Sequence, residues 1–311
     1  INVALTSENQ ESSSKKSESR FQIDAKDIIA VASGKGGVGK STFSVNLAVA
    51  MSELGKKVGI LDADIYGPSV PRMMGISGKP EISQNKKLIP LERYGIKCMS
   101  IGFLVSEETP TIWRGPMIMK ALDQMFNGVE WGQLDYLIID LPPGTGDAQI
   151  TLAQNSKLSG SIIISTPQDV ALTDARKGIN MFKKVNVPIL GLVENMSYFI
   201  CDNCEEKHFI FSNDGAKKEA EKFQIPFLGS LPIDKELRIF LRLLRGATTK
   251  YPLTSAWLQP LLTTSLDNLA PERNISARMI IVFPAPVSPV KTLKPCEKLT
   301  VKVEISAKSF I

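Results

Sequence analysis

What the 311-residue chain has little of narrows its chemistry first. It holds a single histidine, His208. One imidazole cannot build a three-histidine metal centre and leaves little room for a Ser-His-Asp triad. Cysteine is scarce as well: Cys98, Cys201, Cys204 and Cys296, of which only Cys201 and Cys204 are neighbours. That excludes a disulfide-built scaffold and singles out one Cys-x-x-Cys pair for metal or redox chemistry. No apolar run reaches the roughly 18 residues of a membrane-spanning helix. Charge of one sign is not concentrated either: the net charge of +5 is spread along the chain, so no nucleic-acid partner is expected. The polar N-terminus lacks the charged-then-apolar secretory pattern, and the sequence reads as cytoplasmic with no transmembrane segment.

What is present is an alternation of buried strands and helices. Residues 1–26 are rich in Ser, Glu, Lys and Gln and read as a disordered leader. From Asp27 the chain turns apolar. Ile28–Ala32, Lys57–Leu61, Ile96–Ile101, Tyr136–Asp140, Ser161–Ser165, Ile189–Glu194 and Phe227–Leu231 read as strands. Ser41–Leu54, Met117–Phe126, Asp169–Val185 and Asp214–Phe223 read as helices. Apolar runs without alternation mean strands buried on both faces. The pattern predicts an α/β fold with a doubly wound, mostly parallel sheet and right-handed crossovers over residues 27–238. Residues 239–311 carry no such pattern, and Phe283–Val290 with its prolines cannot be helical.

The first strand runs into Gly34-Lys35-Gly36-Gly37-Val38-Gly39-Lys40-Ser41-Thr42. Gly34, Gly39, Lys40 and Ser41 satisfy the spacing of a P-loop. Glycines let successive backbone N–H groups converge on a phosphate, and a helix N-terminus adds favourable partial charge. Lys40 is expected on the β- and γ-phosphates of ATP and the Ser41 hydroxyl on Mg²⁺. Asp140 closes an apolar strand, as a Mg²⁺-holding carboxylate of a P-loop NTPase does, and Pro142–Asp147 after it suits a nucleotide-ordered switch. At the end of the second strand, Asp62 is assigned to the Mg²⁺ shell and Asp64 to orienting the attacking water.

Lys35, directly after the first glycine, makes the loop a deviant Walker A motif. The chain resembles the P-loop ATPase class that contains MinD, ParA and the nitrogenase iron protein. The resemblance implies that Lys35 acts in trans on ATP sandwiched in a homodimer, and that Asn195 contacts the adenine. Asp62–Ser69, Trp113–Met117, Asp140–Asp147 and Glu194–Ser197 narrow it further: they are similar to the Mrp/NBP35/ApbC family of iron–sulfur cluster carriers over about Ile28 to Arg238. That family carries a Cys-x-x-Cys at the place of Cys201-Asp-Asn-Cys204. The resemblance implies an ATP-hydrolysing carrier, slow and coupled to transfer, that receives a cluster from an assembly scaffold and passes it to apo iron–sulfur client proteins.

Chemistry agrees with two cysteines per chain only if chains pair. A [4Fe–4S] cluster wants four thiolates, and a twofold dimer doubles Cys201 and Cys204 to that number. A dimeric Zn-Cys₄ site uses the same ligands and stays open, as does a redox pair. His208 reads as a surface residue rather than a ligand. A MinD-like membrane-positioning ATPase is the alternative function, carried by Arg238, Arg242 and Arg245 on a basic amphipathic stretch; a DNA-partitioning ATPase is the third. The chain departs from the family at its ends. Residues 1–27 hold neither an additional domain nor a further cysteine motif, as in a short form, and from Ile239 the family's closing helix is replaced, as by a frameshift or fusion.

Overall fold

The computed structural model describes residue 21 and residues 23–104, 115–201, 203–204 and 206–234. The tail from 235, the Arg238–Arg245 stretch and Trp113–Arg114 of the Trp113–Met117 motif lie outside the described residues. Nine strands and six helices alternate among them. They are β1 (Ala25–Ser33), α1 (Lys40–Glu53), β2 (Val58–Asp62), α2 (Val70–Met74), β3 (Leu91–Arg93), β4 (Ile96–Ser100), α3 (Gly115–Asn127), β5 (Leu134–Asp140), α4 (Asp147–Asn155), β6 (Gly160–Ser165), α5 (Asp169–Lys184), β7 (Ile189–Ile200), β8 (Lys207–His208), α6 (Gly215–Phe223) and β9 (Phe227–Pro232). A short 3-10 turn, Ile101–Phe103, follows β4.

The strands form one sheet in the order β3-β4-β2-β5-β1-β6-β7-β8, with β9 also on β7. All central pairs are parallel; β3 on β4 and β8 on β7 are antiparallel. This is the doubly wound α/β sheet that the apolar runs predict. Its core is aliphatic: Ile60, Leu61, Leu137, Ile138, Ile162, Ile163 and Ile164 lie in strands with helices on both faces. Sequence order reverses between β1 and β5, and the carboxyl ends of strands at such a switch point are where sheets of this kind bind ligands. Helix α1 is buried from Val45 to Met51 except at Asn46 and ends by rule. Gly55 takes φ +76°, its N–H donates to Ser52 and that of Lys56 to Met51, the Schellman geometry that a glycine permits.

Three expectations change. Ordered structure starts before Asp27: β1 begins at Ala25, and Phe21 is buried, stacked on Phe126 with ring centroids 4.4 Å apart. A polar average over residues 1–26 hides one aromatic anchor. Strand β7 runs on to Ile200 rather than stopping at Glu194, because Met196 at φ +56° bulges the strand without ending it. Four short elements, α2, β3, α4 and β8, have no apolar period long enough to see in sequence.

Candidate functional site

The loop from β1 to α1 is shaped by its glycines. At Gly34 a Cβ would lie 2.2 Å from the backbone carbonyl carbon of Asp174, so this glycine lets α5 approach. At Gly39, φ is +88° and a Cβ would lie 2.1 Å from Asn195 Nδ2. At Gly37, φ is +80° with open space around the missing Cβ. The crest Gly36–Gly37 is exposed while Val38 is buried, so the loop is anchored at one side and open at the other. An exposed crest of backbone N–H groups without side chains is what a phosphate needs, and the residues present fit a nucleotide. Lys35 stands exposed on this crest. Thr42 follows in the first turn of α1, its carbonyl accepting from Asn46 Nδ2 at 2.7 Å.

Beneath the loop sits a buried polar cluster. Asp140, fully buried at the end of β5, receives Lys40 Nζ at 2.9 Å and the Ser41 hydroxyl at 2.6 Å. Ser44, one turn along α1, donates to the other side of the same carboxylate at 2.7 Å. Sequence reasoning missed Ser44; its position four residues after Lys40, on the same helix face, was the available signal. The Ser41 and Asp140 oxygens are a hard donor pair suited to Mg²⁺.

Asp62 lies beside Asp140 in the β2–β5 register and is also fully buried. It accepts from the Val70 N–H at 3.2 Å, the Ser100 hydroxyl at 3.1 Å and the Asp64 N–H at 3.2 Å. Both of its oxygens therefore hold the β2–α2 turn. Burial, then the charge of Asp140, raises its pKa from 3.8 to about 7. Asp64 is half-buried, accepts from the Gly67 N–H at 3.2 Å and is raised by burial. The Pro142–Asp147 segment is tied to the end of β1, where the loop begins, by the Gly144 N–H donating to Ser33 O at 2.9 Å, and Asp147 opens α4.

Asn195 links this site to the cysteines. Its Nδ2 donates to the Val38 carbonyl at 2.8 Å; the resemblance expected it at the adenine. The strand that carries Asn195 continues to Ile200, then turns through Cys201 and Cys204 into β8. Glu194, fully buried, clamps the base of this strand: it accepts from Ser197 Oγ at 2.5 Å and from the Ala216 N–H at 2.7 Å, at the start of α6.

The hairpin forms a soft-ligand cluster. The ligand atoms of Cys201, Cys204 and His208 lie within 4.8 Å of one another. Cys204 Sγ is 3.4 Å from His208 Nε2. His208 is exposed, as a surface residue should be, yet its ring lies within this cluster; antiparallel pairing of Phe199 with His208 folds it back over the turn, and a two-residue strand leaves no periodic trace. Cys98 plays no part: it is buried in β4 and burial pushes its thiol up. Cys296 lies outside the described residues. Among these no helix is long and apolar enough to cross a membrane.

Comparison with known proteins agrees with the geometry. The family model described as ParA: NUBPL iron-transfer P-loop NTPase matches residues 24–249, running past Arg238, where the motif resemblance stops. An Arabidopsis thaliana protein named "Iron-sulfur protein required for NADH dehydrogenase, mitochondrial" is 60% identical over 214 residues, 68% of this chain and 68% of its own. An iron-sulfur cluster carrier protein of Aquifex aeolicus is 56% identical over 214 residues; the match covers 68% of this chain and 59% of that protein. A solved nucleotide-binding protein of Archaeoglobus fulgidus, in complex with ADP and with cobalt found in it, superimposes with a TM-score of 0.62 at 44% identity, over 70% of this chain and 86% of that one.

Proposed function

This chain belongs to the NUBPL iron-transfer P-loop NTPase family, and on that premise we propose that it is an ATP-dependent carrier of a [4Fe–4S] cluster. Two copies sandwich ATP and share the cluster through Cys201 and Cys204 of each. The cluster is cargo, received from an assembly scaffold and passed to apo iron–sulfur proteins. Hydrolysis is slow and coupled to transfer.

The residues divide the work. Gly34–Thr42 cradles the phosphates with backbone N–H groups. Ser41 and Asp140 would hold Mg²⁺, with Asp62 in the surrounding shell, and the ion would supply neutralisation of phosphate charge there. Lys40 lies within reach of both Asp140 and the loop and places its ammonium where phosphate charge develops. Lys35, exposed on the crest, supports the reading that it serves the partner's nucleotide. Asp64, partly buried and raised in pKa, orients water. Asn195 transmits loop position to β7.

One observation carries this reading: a single strand, β7, holds Asn195 on the phosphate loop and ends at the cysteine turn. Nucleotide-driven movement of the loop therefore has a short path to the cargo site, one hydrogen bond and then six residues of a single strand and its turn. Anaerobic reconstitution with iron and sulfide tests it. A brown dimer with about four irons, lost in Cys201→Ala or Cys204→Ala, and released faster to an apo-ferredoxin with ATP than without it, is the expected result. A colourless protein, or transfer indifferent to ATP, sinks the reading.

A further inference from the structure

The cysteine turn has a feature that a cluster shared through four thiolates does not use. His208 is the chain's only imidazole, and it sits against the one cysteine pair. Its direction is set by the hairpin rather than by chance. Lys207 Nζ lies 4.4 Å over the Tyr198 ring, and Phe209 meets the same ring edge-on with centroids 6.5 Å apart. Both neighbours of His208 are thus committed to one face of the hairpin. Side chains alternate along a strand, so His208 faces the other way. The Cys201 N–H donates to Glu206 O at 3.1 Å and closes the hairpin behind the turn.

We propose that Cys201, Cys204 and His208 form a Cys₂His site within one chain that takes a single borderline divalent cation such as Zn²⁺, leaving a fourth position open. The proposal rests on the carrier reading only in taking the cysteine pair as metal-holding. The spacing is right for it. Metal–sulfur and metal–nitrogen bonds of about 2.3 and about 2.1 Å at a tetrahedral angle set sulfur and nitrogen about 3.6 Å apart. Cys204 Sγ and His208 Nε2 are 3.4 Å apart. Cys201 Sγ lies within 4.8 Å of both atoms, so it has at most about 1.2 Å to close to reach the same edge length. Two thiolates, a neutral imidazole and a dication sum to zero charge, which suits an exposed turn. Binding displaces the two thiol protons to solvent.

This site needs no second chain. A cluster on a dimer axis draws on the cysteines of both copies, so the two occupancies exclude each other. Each chain then has a monomeric, metal-loaded form distinct from the cluster-loaded dimer. The open fourth position, as in catalytic rather than structural zinc sites, keeps the cation exchangeable.

Anaerobic titration of the reduced, metal-free full chain with Co²⁺ tests this. One Co²⁺ per monomer is expected, with sulfur-to-cobalt charge transfer and the visible bands of a four-coordinate site. His208→Ala should weaken binding at least about tenfold and shift the visible bands. His208→Cys should restore tight binding with added sulfur charge transfer. Unchanged affinity and bands in His208→Ala overturn the proposal, because the Cys204–His208 contact is then only a hydrogen bond. One Co²⁺ per two chains with an all-sulfur spectrum overturns it as well. The carrier reading fails separately: no cluster after reconstitution of the unaltered chain counts against the carrier, while the Co²⁺ result still decides the site.

Discussion

Asn195 Nδ2 donates a 2.8 Å hydrogen bond to the carbonyl of Val38, a residue 157 positions earlier in the chain. The bond crosses from β7 to the buried, anchored side of the phosphate loop and crowds Gly39, whose missing Cβ leaves the room that the amide occupies. Loop and strand are joined at one point, and substitutions there separate binding from coupling. Asn195→Ala should cost about 1 kcal/mol of stability, one ordinary hydrogen bond. It should leave cluster binding by the cysteines intact while the effect of ATP on cluster release shrinks. Iron release followed with and without ATP reads this directly; an undiminished ATP effect would show that the link is ornamental.

Gly39 and Gly34 fail for different reasons when changed to alanine. Gly39→Ala meets both a left-handed backbone and the Asn195 amide, so it should lose nucleotide binding and about 1–2 kcal/mol of stability. Gly34→Ala drives a methyl into the backbone of α5 at Asp174, which cannot step aside as a side chain can. It should lower the melting temperature more than Gly39→Ala does. Calorimetry of the two variants, with a nucleotide titration, separates them.

The buried Asp62 gives stability a pH dependence of definite sign. Its folded pKa of about 7 exceeds the ordinary 3.8, first through burial and then through Asp140. The folded chain therefore holds a proton that the unfolded chain has released between pH 4 and 7. This group's contribution is fully present below the unfolded value and lost as pH rises through about 7. Without nucleotide and in EDTA, the melting temperature should fall across that window, and the fall should be smaller in Asp62→Asn. An equal fall in the variant would assign the effect to another group.

Phe21 tests where the domain begins. It is buried, stacked on Phe126, and its N–H donates to Asn155 O at 3.0 Å. Phe21→Ala should cost about 3 kcal/mol through the lost aromatic contact and the cavity left behind. Chemical denaturation gives the value. A chain that starts at Asp27 should show a loss at least as large, whereas no loss in either would return these residues to the leader.

Much of the nucleotide site was legible before folding. The phosphate loop is contiguous in sequence, and its chemistry depends on backbone N–H groups that the motif itself specifies. Asp62 and Asp140 were visible because each ends an apolar run. Ser44 and Ser100 were not: Ser44 offered only its helical spacing from Lys40, and Ser100 offered nothing until a buried carboxylate was packed beside it. His208 was hidden for a related reason, since only antiparallel pairing with Phe199 brings it back over the cysteines.

By itself the sequence determined the local matters: which runs are strands buried on both faces, where the glycines free the backbone, and that one cysteine pair is available for metal. Those follow from side-chain volume, hydropathy and spacing, which are properties of neighbours along the chain. Only the tertiary structure decided that Asn195 grips the phosphate loop, that Asp62 and Asp140 share one buried volume, and that the lone imidazole joins the cysteines. Each of these is a contact between residues brought together by strand order and register. The free energy that enforces them comes from burying the whole sheet, not from the residues in contact.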